Sequence, residues 1–222
     1  MAHTIPWQDA TGPHPVRELT IEPERTALLV VDMQQYAGAH TERPRRVLAA
    51  NLRLRDFFRA QGLPVIWLRV GAFLPDGRDM HPERLARSKS PTGDTPYLAS
   101  RGTPNFELRP ELQPLPTELV VDKNSSGAFN SCELDLYLRN LGVENLVVCG
   151  VATNACVDNT ARGAADRGYN VILVEDACTD GTVASHRATV ECFARHFGAV
   201  YRTDDVLALF TRLLAREPAA AR

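Results

Sequence analysis

The sequence predicts an α/β fold in which a parallel sheet is covered by helices on both faces. From residue 26 onward, short apolar runs alternate with stretches of helical periodicity. Most of the apolar runs are near-continuous Val, Leu and Ile rather than alternating, as strands buried on both faces require. Such β-α alternation is solved by parallel strands joined through helical crossovers. With 222 residues, 44% hydrophobic and 23% charged, the chain is large enough for one domain with a two-faced core.

Taken in order, the predicted strands are residues 27–32, 64–70, 118–122, 146–149, 170–175 and 199–202. A helix over 44–61 has Pro44 near its first turn and Gly62 at its end. Asn130 with Glu133 has capping-box spacing before the next helix, and Asp204 is placed to cap a last helix through Ala215. Val190, Phe193, Ala194 and Phe197 form one apolar helix face that stops at Gly198. Residues 71–117 hold eight prolines and read as loop, with a short helix near 82–87. The domain is expected to span 24–216, with an N-terminal extension over 1–23 and a C-terminal tail over 217–222. No repeat or interdomain linker is present.

Charge and composition exclude several classes of function. A net charge of −2 and a pI near 6.3 leave no basic footprint for nucleic acid or an acidic membrane. No apolar run reaches the roughly 18–20 residues of a membrane helix, and residues 1–16 lack the apolar core of a secretion signal. The expectation is a soluble, cytoplasmic protein. Five cysteines without a CxxC pair fit neither a disulfide framework nor a zinc ribbon; Cys149 and Cys192 read as filler, while Cys132 and Cys178 are left open. No GxGxxG follows a strand, so no dinucleotide cofactor is expected.

Open parallel sheets bind ligands at the carboxyl ends of their strands. The first strand ends in Asp32, the third in Asp122 and Lys123, and the fourth leads through a glycine turn at Gly150 to Cys156. Asn154 is the predicted N-cap, with Ala155 and Cys156 as the first helical residues and Gly168 as the stop. A thiol there faces unpaired N–H groups and the positive end of the helix dipole, which lowers its pKa. Only Lys89 and Lys123 of the 25 basic residues are lysines, so Lys123 stands where a tunable amine differs most from a guanidinium. Each residue alone has an ordinary reading: a small filler, an ion-pair partner, a salt-bridged lysine. Their convergence on one sheet edge points to a nucleophilic site. Lys123, as a strand-end side chain, is expected to matter little to the core, and Arg69 is the alternative cation.

Three stretches, TALLVVDMQ, VVDKNSSGAF and VVCGVATNACV, resemble the signature regions of the isochorismatase-like cysteine hydrolases, and the resemblance spans 24–209. It implies a three-layer α/β/α fold with a six-stranded parallel sheet of order 3-2-1-4-5-6. It also implies a catalytic triad of Asp32, Lys123 and Cys156, an oxyanion hole from the N–H groups of Ala152 and Cys156, and a cis peptide at Val151-Ala152. In that sheet order Lys123 stands two strands, roughly 10 Å, from Asp32 and must reach over the strand between. Gln35, Tyr36, Phe129, Val151 and Asn154 are implied as substrate-binding residues. Where most members carry a Phe in the first motif, this chain reads DMQQYA, with Tyr36 and Ala37.

The implied chemistry is hydrolysis of a small amide through a thioester, without metal or cofactor, in a homo-oligomer (dimer or tetramer). The stretch before Lys123 is similar to that of hydrolases acting on biuret, triuret and N-carbamoyl compounds, which favours linear amides or ureides. Two other readings use the same scaffold, nicotinamide hydrolysis with a metal and vinyl-ether cleavage; a third is a noncatalytic thiol or binding protein. Asp79 and His81 have the internal spacing of a metal-binding pair but lie past the strand end and read as surface loop.

Overall fold

The computed structural model describes residues 3–6, 18–35, 42–87, 93 and 97–215. Tyr36, Ala37, Lys89 and the tail over 217–222 lie outside them. Two strands, β1 (His3–Pro6) and β2 (Glu18–Ile21), pair antiparallel within the stretch expected as an extension. The main sheet is built from β3 (Thr26–Val31), β4 (Val65–Val70), β5 (Leu119–Lys123), β6 (Asn145–Val151), β7 (Asn170–Thr179) and β8 (Ala199–Tyr201). Its spatial order is β5-β4-β3-β6-β7-β8 and every pairing is parallel. Counted from β3, this is the expected order 3-2-1-4-5-6.

Helix α1 (Glu42–Ala60) shows why the sequence folds this way. Val47, Ala50, Leu54 and Phe58 lie on one stripe and are buried, the spacing of an amphipathic helix against a sheet. Its end is closed by Gly62 at φ +68°, with Gly62 N–H donating to the Arg59 carbonyl at 3.0 Å and Leu63 N–H to the Phe58 carbonyl at 2.9 Å. Further along lie α2 (Pro82–Arg87), α3 (Leu134–Asn140), α4 (Asp158–Ala165), α5 (Val183–His196) and α6 (Thr203–Ala215). α1 and α6 pack together through Phe58 and Phe210, whose rings are 5.6 Å apart, and α4 packs with α5.

Four local expectations are corrected. Gly150 is not in a turn but inside β6, beside a bulge in the β6–β7 register; at φ +119°, a Cβ there would stand 2.0 Å from the Val31 carbonyl oxygen. Only glycine permits that approach. β7 continues past 175 because Cys178 and Thr179 resume pairing with Gly150 and Val151, after Glu175 and Asp176 interrupt the apolar run. The capping box is not formed: Asn130 belongs to a 3-10 turn (Ala128–Asn130), and Glu133 caps α3 without a side-chain bond. Nor does Asp204 cap α6. Asp176 of β7 does so from across the fold, its Oδ1 accepting the Thr203 N–H at 2.7 Å and hydroxyl at 2.8 Å, while Asp204 pairs with Arg53 at 2.6 Å.

Candidate active site

The carboxyl edge of the sheet brings Asp32, Lys123 and Cys156 together. Asp32 follows the last residue of β3 at φ +50°, a left-handed conformation that Asp tolerates better than most residues. Lys123 closes β5 and reaches over β4, placing Nζ 2.8 Å from Asp32 Oδ2 and 3.0 Å from the Ser125 carbonyl. Both side chains are 0% exposed. The expectation that Lys123 matters little to the core is therefore corrected, because a buried ion pair loses its balance when one partner goes. Asp32 Oδ1 is buried without a hydrogen-bond partner among the described residues. The NSSG loop after β5 is tied down locally, with Ser125 Oγ donating to the Gly127 carbonyl at 3.0 Å and lying 2.9 Å from Ser131 Oγ.

Cys156 sits in a π-helical turn, Thr153–Val157, that leads directly into α4. The turn is closed by Val157 N–H donating to the Ala152 carbonyl at 3.2 Å, and the Val151-Ala152 peptide is cis. This differs from the expected cap: the wide turn begins at Thr153, and Asn154 is exposed on it. The Thr153 side chain is committed elsewhere, its Oγ1 lying 2.8 Å from His186 Nδ1 on α5. A cap preference cannot foresee a partner 33 residues away.

Cys156 is 6% exposed, and the pKa of its thiol is raised rather than lowered. Burial is the main cause; the Asp32 carboxylate also raises it, while Lys123 and Arg84 pull it down. The raised pKa favours the neutral thiol, which lies beside an Asp32 carboxyl whose Oδ1 has no hydrogen-bond partner among the described residues. That arrangement suits proton transfer on attack better than a standing thiolate.

Arg84 of α2 was not foreseen. Its Nη2 lies 3.9 Å from Cys156 Sγ, its Nη1 2.7 Å from Ser126 Oγ and its Nε 3.2 Å from the Tyr97 hydroxyl. α2 is held over the site from its N-terminal side by Asp79, whose carboxylate accepts the N–H groups of Phe73 at 2.8 Å and Leu74 at 3.1 Å, and whose carbonyl accepts Asn124 Nδ2 at 3.0 Å. Those N–H bonds hold the Asp79 carboxyl below its usual pKa although burial opposes them. His81 is exposed, and among the described residues no three His, Cys, Asp or Glu side chains gather as metal ligands.

Arg69, the alternative cation, has its charge engaged by other side chains. It is ion-paired to Asp122 at 2.8 Å and to Glu107, and lies over the Phe106 ring. Gln34, quoted in the first motif but given no role, is fully buried and fastens the loop: its Nε2 donates to the carbonyls of Val70 at 3.0 Å and Phe106 at 2.7 Å, and its Oε1 accepts the Val70 N–H at 2.9 Å. Gln35 is exposed, its N–H donating to the Glu107 carbonyl at 3.0 Å. Phe129 packs in the core: its ring lies 6.0 Å from that of Tyr169, beneath Arg167 and against Gly163. Val151 and Ala152, at the end of β6, are partly exposed.

Comparison with known proteins adds the family. The isochorismatase domain matches residues 26–205. A ureidoacrylate amidohydrolase, RutB, of Methylobacterium radiotolerans is 32% identical over 244 residues, covering 97% of this chain and 93% of that protein. The crystal structure of a cysteine hydrolase from Pseudomonas syringae pv. phaseolicola aligns with a TM-score of 0.77 at 29% identity, over 87% of this chain and 95% of that one. An N-carbamoylsarcosine amidase from Thermoplasma acidophilum aligns at 0.68 and 26% identity, over 81% and 97%. With a matched domain over most of its length, two of the three quoted motifs meeting as a buried ion pair at the sheet edge and the third bringing a cysteine beside it, the chain belongs to the isochorismatase family.

Proposed function

We propose that this protein is a cysteine amidohydrolase that cleaves a C–N bond of a small linear amide or ureide through a thioester on Cys156. The observation that carries the reading is the buried Cys156 side chain beside the buried Asp32–Lys123 ion pair, with Asp32 Oδ1 unpartnered among the described residues. The relatives described as ureidoacrylate amidohydrolase and N-carbamoylsarcosine amidase support it.

In this mechanism Cys156 Sγ attacks the carbonyl carbon while its proton passes to Asp32 Oδ1. Lys123 stays on Oδ2 and balances charge throughout. The oxyanion is held by the N–H groups of Ala152 and Cys156. The C–N bond then breaks, and Asp32 returns its proton to the leaving nitrogen, releasing ammonia or an amine. Water attacks the thioester, giving a proton to Asp32; the C–S bond breaks, and that proton goes back to sulfur. The acid product leaves, as a carbamate where the substrate is a ureide.

The catalytic unit in this reading is one domain over 24–216, in a cytoplasmic homo-oligomer. Among the described residues no helix is long and apolar enough to cross a membrane, and light scattering after gel filtration measures the assembly. An ammonia-release screen over ureidoacrylate, N-carbamoyl amino acids, biuret, triuret and nicotinamide tests the activity. Turnover that disappears in Cys156→Ala supports the reading; turnover that persists in that variant, or none on any substrate, overturns it.

A further inference from the structure

Among the described residues Arg84 is a cation without a carboxylate partner. Other partly buried arginines of this fold are paired: Arg59 with Glu118 at 2.7 Å, Arg69 with Asp122 at 2.8 Å, Arg162 with Asp158 at 2.8 Å. The Arg84 guanidinium, partly buried beside the nucleophile, touches among the described residues only a serine hydroxyl, a tyrosine hydroxyl and face, and the Cys156 sulfur. None of these is a carboxylate. A guanidinium has five N–H donors in a fixed fork. Among the described residues three are engaged, one of them only with sulfur at 3.9 Å, and one N–H on each terminal nitrogen has no partner there. A partly buried cation with donors left over gains most from an anion that completes it in charge-assisted hydrogen bonds.

We propose that Arg84 is a specificity-determining residue that binds a carboxylate of the substrate, so that this protein acts on amides or ureides carrying a carboxylate a few bonds from the scissile carbonyl. The proposal rests on the amidohydrolase reading above and narrows its substrate class. The geometry fits a single small molecule, because the same guanidinium touches the sulfur that attacks the carbonyl. A planar fork also matches a carboxylate in two parallel hydrogen bonds. Neutral ureides such as biuret offer no charge for this group and are the poor substrates.

The test compares N-carbamoylglycine and 3-ureidopropionate with their neutral N-methylamides, reading loss of the carbamoyl group as amine product by mass spectrometry. Wild-type protein is expected to favour the acids at least about tenfold in kcat/KM, the worth of a charge-assisted hydrogen bond. Arg84→Met should lower that ratio at least about tenfold, chiefly through KM for the acids, and Arg84→Lys should restore part of it. A wild-type ratio near one overturns the assignment. So does an Arg84→Met protein that loses turnover on acids and amides alike with the ratio unchanged, since Arg84 would then serve the thiol alone. The wild-type ratio decides by itself if a variant does not fold. Turnover of neutral ureides without preference for the acids removes only the role of Arg84, whereas no turnover here or on any substrate of the ammonia-release screen removes the amidohydrolase reading with it.

Discussion

Replacing Lys123 by Met tests how the site and the core are joined. The ion pair to Asp32 is 2.8 Å long with both side chains fully buried, so the variant leaves a carboxylate in the interior with no cation. Breaking a buried pair in this way costs about 3–5 kcal/mol. For a chain of this size each kcal/mol moves the melting temperature by about 2–4 °C, so a loss of roughly 6–20 °C is expected. The double variant Asp32→Asn/Lys123→Met removes both charges and should recover much of that loss, a coupling that a double-mutant cycle measures directly. Turnover should fall by roughly 10³-fold or more in either single variant, since members of one catalytic unit fail together. Lys123→Arg should rescue little, because a planar fork does not fit a slot shaped around an ammonium. Calorimetry with urea unfolding supplies the stabilities. A Lys123→Met protein as stable as wild type, or a cycle with no coupling, would refute the reasoning.

The remaining predictions follow from the same groups. Alkylation of Cys156 should rise with pH to a midpoint above that of an ordinary thiol; Asp32→Asn should move the midpoint down and Lys123→Met up, since the carboxylate raises and the ammonium lowers this pKa, and mass spectrometry of iodoacetamide-labelled peptides reads both shifts. Glu118 is 8% exposed and accepts Arg59, Trp67 and the Leu115 N–H; these bonds hold its carboxyl below the usual range although burial pushes it up. A depressed carboxylate contributes stability that is present above its unfolded pKa and lost as pH falls through its folded one. Glu118→Gln should therefore cost about 1.5–3 kcal/mol at pH 7 and progressively less as the solution is acidified below the carboxylate range, as followed by urea unfolding. Dialysis against EDTA should leave turnover unchanged, because the Asp79 carboxylate is spent on Phe73 and Leu74 N–H groups; loss restored by zinc or iron would revive the metal-dependent alternative.

Some of this was decided by sequence alone. Continuous apolar strands alternating with amphipathic helices dictate a parallel sheet, because only helices on both faces can cover such strands. The chain order of Asp32, Lys123 and Cys156 places all three at strand ends, since the carboxyl edge is shared by every strand of a parallel sheet. What sequence could not supply is whatever depends on a distant partner. Arg84 is one arginine on a short helix within a proline-rich stretch, 72 residues from the cysteine it touches, and no local pattern marks it. Asp176 caps α6 from β7, and Thr153 turns to His186, so nearest-neighbour capping rules chose Asp204 and Asn154 instead. The thiol illustrates the same division. A helix terminus read from sequence lowers its pKa, but burial and the Asp32 carboxylate, which come together only once β3 and β6 meet, push it the other way. Local dipoles are written along the chain, whereas desolvation is a property of the packed interior, and here desolvation is the larger effect.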